Sequence, residues 1–143
     1  MSCEPLIRLR VPVRFRDCDP LGHVNNATYL TYIEQARIDL WRQQIGSWAQ
    51  VDEEGRRGEG FILARAEVDF KSQARDGDEL EVRLCLGSFG RSSATYTYEV
   101  VDAPTGRVVV AAKTVQVWFD YDAGKPTPLT DEIKKKLSVP VAS

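Results

Sequence analysis

The chain has a single histidine, His23, and only three cysteines, Cys3, Cys18 and Cys85, with no C-x-x-C spacing. That scarcity leaves no ligand set for zinc, and no cluster of carboxylates replaces one, so we expect neither metal nor cofactor. An odd number of widely spaced cysteines is the pattern of reduced thiols, which points to the cytoplasm. No apolar run approaches the roughly 18 residues that cross a bilayer. The opening M-S-C-E-P-L-I-R-L-R lacks the charged-then-apolar order of a secretory leader. Long basic stretches are missing too. The longest cationic run is Lys134 to Lys136, and the formal net charge is −2, so nucleic acid is not an expected partner. Internal repeats and low-complexity linkers are also absent.

What remains is an ordinary globular composition, 43% hydrophobic and 28% charged over 143 residues, enough for a single domain spanning 1–143 with one real core. Leu6 to Arg16 alternates strictly. Ile7, Leu9, Val11, Val13 and Phe15 face one way and four arginines the other, which predicts a half-buried strand. Pro12 places that strand at an edge or a bulge. An acid-rich turn, Asp17 to Gly22, follows. Asn25 or Asn26 then caps a helix over roughly Ala27 to Ile45, with Tyr29, Ile33, Ala36 and Leu40 at helical spacing and Tyr32 and Trp41 widening the stripe. Gly46 stops it. Ser47 to Gly60 reads as a polar loop. Four strands are predicted next, at Phe61–Lys71, Glu79–Phe89, Ser92–Val101 and Arg107–Asp120, with turns at Asp76-Gly77-Asp78, Gly87 to Gly90 and Pro104-Thr105-Gly106. Thr130 caps a tail helix, Asp131 to Leu137, whose lysines complement its dipole. The long helix must bury its stripe, so the simplest architecture is α+β, one long helix wrapped by a five-stranded antiparallel sheet.

The stretch Val13 to Arg37 carries the chemistry. It sets two carboxylates, Asp17 and Asp19, at a strand end, then a turn, the one histidine, and a helix start. An acid facing a helix N-terminus can attack or activate water while the helix amides hold a developing oxyanion. The segment D-C-D-P-L-G-H-V-N-N-A-T-Y-L-T-Y-I-E-Q-A-R resembles the active-site motif of hotdog-fold acyl-CoA thioesterases, the 4-hydroxybenzoyl-CoA thioesterase-like group. R-D-G-D-E-L-E-V, G-R-S-S-A-T-Y-T-Y-E-V and D-A-G-K-P-T-P-L continue the likeness in order.

That resemblance implies a hotdog fold, hydrolysis of a fatty or aromatic acyl-CoA, and a homodimer or homotetramer whose sheets pair edge to edge with the sites at the interface. It implies Asp19 as base or nucleophile and an oxyanion hole around Val24, Asn25 and Asn26. On strand spacing Asp17 faces the same way as Asp19 and is its rival; Glu34 is a third candidate. His23 could touch the thioester or orient water, or bond nearby backbone. Asn26 is read first as a cap and second as a catalytic group. Gly22 shapes the turn, and Tyr29 is a pocket wall. Arg91 and Ser92 are candidates for the phosphates of coenzyme A, as are Lys71, Arg75, Arg56 and Arg57. Glu34 and Arg37, three apart, read as an ion pair within the helix or across an interface. Acyl carrier protein as thiol carrier, a hydratase or dehydratase, and a module that binds acyl-CoA without cleaving it are the competing functions.

Overall fold

The computed structural model describes residues 3–46 and 52–142. β1 (Ile7–Pro12) is followed by a 3₁₀ turn (Phe15–Asp17), α1 (Asn26–Ile45), β2 (Glu59–Phe70), β3 (Glu79–Phe89), β4 (Ser93–Asp102), β5 (Val108–Asp120), β6 (Lys125–Pro126) and α2 (Asp131–Leu137). The five main strands form one sheet in the order β1-β3-β4-β5-β2, and β6 adds a two-residue ladder to β5. All pairings are antiparallel. This is the hotdog architecture expected from the sequence: one long helix on one face of an antiparallel sheet. The edge position of β1 accommodates Pro12, which has no N–H to give a second neighbour.

Alternation builds the core. Leu80, Val82 and Leu84 of β3, Tyr96, Tyr98 and Val100 of β4, and Thr114, Gln116 and Trp118 of β5 are buried beneath α1. From α1 come Tyr29, Tyr32, Ile33, Ala36, Leu40 and Trp41. Ile33 and Leu40 are fully enclosed, and burying such a side chain stabilises by about 1.5–3 kcal/mol. Two aromatic pairs fix how α1 lies along β2. Tyr29, near the helix start, sits 6.0 Å from Phe70 between ring centroids; Trp41, near its end, sits 4.9 Å from Phe61. Trp41 Nε1 also donates to the Tyr96 hydroxyl at 3.0 Å. Gln44 Nε2 donates to the carbonyls of Leu137 and Val139, docking the chain around α2 on the end of α1.

Several expectations are corrected. The first strand stops at Pro12, because the backbone tightens into the 3₁₀ turn; Phe15 consequently leaves the alternation and is 82% exposed. β2 begins at Glu59, two residues earlier than the apolar pattern indicated, because ladder bonds to β5 extend past the last apolar residue. Of the expected Ser47–Gly60 loop, residues 47–51 lie outside the described residues. Glu34 and Arg37 form no intrahelical pair: Glu34 is exposed, while Arg37 is buried and donates to the Tyr98 hydroxyl. The three cysteines are not all separate thiols. Cys3 and Cys85 are bonded, because β1 pairs with β3 and the chain just before it, at Leu6, still bonds Leu84; among the described residues Cys18 is the free one. No helix among the described residues is long and apolar enough to cross a membrane.

Candidate active site

The segment between β1 and α1 is stitched at both ends. An isolated antiparallel bridge joins Cys18 and Val24. Asp19 N–H donates to the His23 carbonyl at 3.0 Å and Gly22 N–H to the Asp19 carbonyl at 3.0 Å, closing a tight loop over Asp19–His23. Gly22 has φ +89°, the left-handed region that suits glycine. The Asp19 carboxylate accepts from the Leu21 amide at 2.9 Å through Oδ1. Its Oδ2 lies 3.9 Å from His23 Nδ1, and that ring nitrogen is also 3.3 Å from the Val24 carbonyl. Asp19 thus combines a fixed position with partial solvent access, the state a base or nucleophile needs.

Asp17 does something different. The 3₁₀ turn rotates it away from the alternation that put both acids on one face. It is 5% exposed. Its Oδ2 accepts from the Tyr32 hydroxyl at 2.9 Å and from the Arg14 amide at 3.0 Å, and Oδ1 accepts from the Arg14 guanidinium at 3.1 Å. Its carbonyl accepts the Asn25 amide. Burial works to raise the Asp17 pKa, but the bonds from Arg14 and Tyr32 outweigh it and leave the carboxyl below its ordinary value. Tyr32 is pushed the other way, by burial and by the adjacent Asp17. Asp17 is a brace between β1, the turn and α1, and its oxygens are occupied.

The start of α1 sorts its asparagines. Asn25 is the cap: its side-chain oxygen accepts from the Ala27 amide at 2.9 Å and its carbonyl from Thr28. Asn26 is the first helical residue, which corrects its reading as the cap. Among the amides of Val24, Asn25 and Asn26, the first donates to Ala74 and the second to Asp17. The Asn26 N–H has no acceptor among the described residues. It carries the positive end of a 20-residue helix, an environment that favours an anion. Asn26 lines a cleft of about 260 Å³ with His23, Val24, Tyr29 and the chain from Phe70 to Gln73. A second depression, lined by Phe15, Cys18, Asp19, Pro20, Gly22 and Asp76, adjoins it through the Asp19–His23 contact. Tyr29 is a wall, 2% exposed, with its hydroxyl accepting from the Ala74 amide.

Sequence reasoning set little weight on the Phe70–Gln73 side of the cleft. Lys71 lies there, and Arg107 holds the segment through bonds to Ser72 Oγ and the Gln73 carbonyl. The signal in the sequence was only the end of a strand followed by a polar turn. Arg91 and Ser92 are not brought to the cleft. The Ser92 carbonyl accepts from Trp118 and the Arg91 carbonyl from Leu129, which anchors both at the Phe61 end of the sheet, beside the end of α1 and not its start. Arg56 is engaged by Asp52 and Glu54, and the Arg75 amide by Asp78. The Arg57 amide is engaged by Asp122. Glu34 lies on an exposed face of α1, two turns past Asn26.

Comparison with known proteins gives a consistent picture. The chain matches the family model for the thioesterase-like superfamily over residues 13–137. It is 39% identical to a thioesterase from Thermus thermophilus whose crystal structure contains coenzyme A and zinc; the match covers 91% of this chain and 95% of that one, with a TM-score of 0.73. It is 26% identical over 132 residues to the long-chain acyl-CoA thioesterase FadM of Escherichia coli K12, covering 92% of this chain and 96% of that protein. It is also 26% identical over 129 residues to the chloroplastic acyl-acyl carrier protein thioesterase ATL3 of Arabidopsis thaliana. There the match covers 90% of this chain and only 66% of that protein. The zinc of the Thermus structure has no evident seat here: no group of three or more His, Cys, Asp or Glu able to hold a metal forms among the described residues.

Proposed function

The chain belongs to the thioesterase-like superfamily and is a thioester hydrolase, and from that premise we propose that Asp19 and the start of α1 cleave an acyl-CoA within the single unit formed by residues 1–143. The observation that carries the assignment is one unspent helix amide, that of Asn26, in the cleft that His23 lines, with the restrained but accessible carboxylate of Asp19 on the other side of that histidine.

The thioester carbonyl takes its place at the Asn26 N–H. As Asp19 attacks the carbonyl carbon, or removes a proton from the water that does, charge builds on that oxygen, and the amide and helix dipole stabilise it. One such preorganised donor supplies a factor of roughly 10²–10³, and general-base action roughly 10²–10⁴. The tetrahedral intermediate collapses and expels the coenzyme A thiolate, which takes up the proton held on Asp19 where water attacked; where Asp19 itself attacked, water then hydrolyses the acyl–Asp19 anhydride to the free acid and restores the carboxylate. His23, held beside Asp19 by the Val24 carbonyl, orients the water or meets the sulfur. Gly22 sets the loop, and Tyr29 bounds the acyl side.

Arg91 and Ser92 fit this scheme only in trans. Among the described residues β2 pairs with β5 alone, which leaves its outer edge open along Glu59–Phe70. Leu63 and Phe70, on the face toward α1, are about half exposed. A second copy pairing β2 to β2 antiparallel covers that edge. The same two-fold carries the partner's Phe61 end, with its Arg91 and Ser92, to this chain's Phe70 end, where the cleft lies. Cationic and hydroxyl groups then meet the phosphates of coenzyme A. The unit is a homodimer, or a tetramer of two such dimers.

Release of free thiol from short, medium, long and aromatic acyl-CoAs, and from acyl-carrier-protein esters, tests the reading. Wild type should turn over CoA esters, and Asp19→Asn should lose at least about 10²-fold in kcat while still binding substrate. Equal rates for wild type and Asp19→Asn would remove Asp19 from the chemistry. Turnover of carrier-protein esters alone would change the thiol carrier.

A further inference from the structure

Arg37 is a cation without an anion. It stands on α1 with 6% exposure, and its one hydrogen bond among the described residues is to the Tyr98 hydroxyl at 3.4 Å. That hydroxyl is already paired with Thr114 Oγ1 at 2.5 Å. No carboxylate of the described residues comes within ion-pair distance of Arg37. The remaining residues, 1–2, 47–51 and 143, contain neither Asp nor Glu. Withdrawing a guanidinium from water without a counter-charge is strongly unfavourable, so an acidic group that the described residues of this chain do not supply belongs here.

The same helix face carries the complement. Glu34, three residues before Arg37, is exposed and forms no ion pair among the described residues. Residues three apart lie about 60° from each other around the axis, so Glu34 and Arg37 share a face. The two aromatic contacts fix the level of that face against the open edge strand. Tyr29 meets Phe70 and Trp41 meets Phe61. Midway between the two aromatics on α1 is residue 35; midway between Phe61 and Phe70 is the step from Arg65 to Ala66. A two-fold axis through the middle of an antiparallel β2–β2 pairing therefore passes at the level of the Glu34–Arg37 pair. Residues on either side of that level exchange places across the axis.

We infer that Glu34 of one chain supplies the missing anion for Arg37 of a second copy, twice about one two-fold axis. The inference rests on the edge-paired dimer proposed above and goes beyond it, because it names the charge contact that sets the register between the two helices. The contact is self-complementary, as a two-fold requires. It also rejects a slipped strand pairing, since a shift along β2 separates both acids from both guanidiniums.

The test keeps the cation. In Arg37→Lys, a water-soluble carbodiimide joins the Glu34 carboxylate to the amine at position 37 as an amide. Treatment of the folded Arg37→Lys protein should give a covalent dimer on a denaturing gel, and adding Glu34→Gln to Arg37→Lys should abolish it. In parallel, Glu34→Arg changes an exposed helical position. It should keep the helical circular dichroism while raising the dimer dissociation constant at least tenfold, roughly the weight of a reversed interfacial charge pair, read by sedimentation. A dimer that sediments normally in Glu34→Arg and forms no Glu34-dependent link overturns this contact while leaving edge pairing in place. A wild-type chain that sediments as a monomer overturns both. Altered preference among acyl-CoAs in Arg37→Lys with an unchanged dimer assigns the anion to the substrate and also overturns the contact.

Discussion

The brace at Asp17 can be weighed by a double-mutant cycle with Tyr32. The Tyr32 hydroxyl donates to Asp17 Oδ2 at 2.9 Å, with both side chains buried. A hydrogen bond to a charged acceptor contributes about 1.5–3 kcal/mol, and a buried partner left unpaired costs about 1–3 kcal/mol. Asp17→Asn should therefore destabilise by about 2 kcal/mol, and Tyr32→Phe by about 1.5 kcal/mol, since the phenyl ring keeps the packing. Because Asp17→Asn removes the charged acceptor of the Tyr32 hydroxyl and Tyr32→Phe the hydroxyl itself, the double variant should cost little more than Asp17→Asn alone, a coupling of about 1–2 kcal/mol. Urea denaturation followed by circular dichroism measures all four corners. The pH dependence carries the same information. The Asp17 pKa lies below its unfolded value, so its stabilisation is complete above the ordinary carboxylate pKa of about 4 and is lost as pH falls through the lower folded value. Asp17→Asn should flatten that acid limb. Additive single effects, or an acid limb unchanged in Asp17→Asn, would refute the brace. Thioesterase activity separates the two acids: Asp17→Asn should retain measurable turnover under conditions where Asp19→Asn has none.

Asn25→Ala removes the α1 cap and should cost about 0.5–2 kcal/mol in thermal or urea unfolding, with a fall in kcat because the same residue steadies the amide of its neighbour Asn26. Gly22→Ala forces a side chain into φ +89°; no atom within 4 Å opposes the new methyl, so the cost of about 1–2 kcal/mol is purely backbone, and a kcat loss exceeding the stability loss would report a displaced Asp19. Cys3→Ser removes a link across 82 residues of chain, which in the loop-entropy account is worth up to about 4.5 kcal/mol; equal melting temperatures for oxidised wild type and Cys3→Ser would remove the bond from the energetics.

The helix was legible because its signals agree. The stripe from Tyr29 to Trp41 has one period, an asparagine at its head and Gly46 at its end, and all of these are found in place. The strands after α1 were legible from alternation, with errors of one or two residues, as where ladder bonds outrun apolar residues at Glu59, while the first strand was carried four residues past its end at Pro12. Phe15 and Asp17 were misread for one reason: strand alternation was carried through a 3₁₀ turn, which rotates each successive side chain differently. The cap could not be assigned between Asn25 and Asn26, since adjacent asparagines are equivalent to a pattern and distinct only in backbone angle. Arg91 and Ser92 were assigned by motif order, which is blind to the end of the sheet on which they lie. The Cys3–Cys85 pair was invisible because sequence separation does not say that the first strand pairs with the third.

The far placement of Arg91 and Ser92 has a genetic consequence. In the edge-paired dimer proposed above, each catalytic centre would draw its carboxylate from one chain and its phosphate contacts from the other. A chain disabled at Asp19 and a chain disabled at Arg91 would both be impaired alone, yet a hybrid of the two would contain one centre with neither lesion. Random exchange makes about half of the dimers hybrid, so two dead preparations, unfolded together and refolded, should recover about a quarter of wild-type activity. Two different loss-of-function alleles in one cell would complement each other, while either allele alone would not.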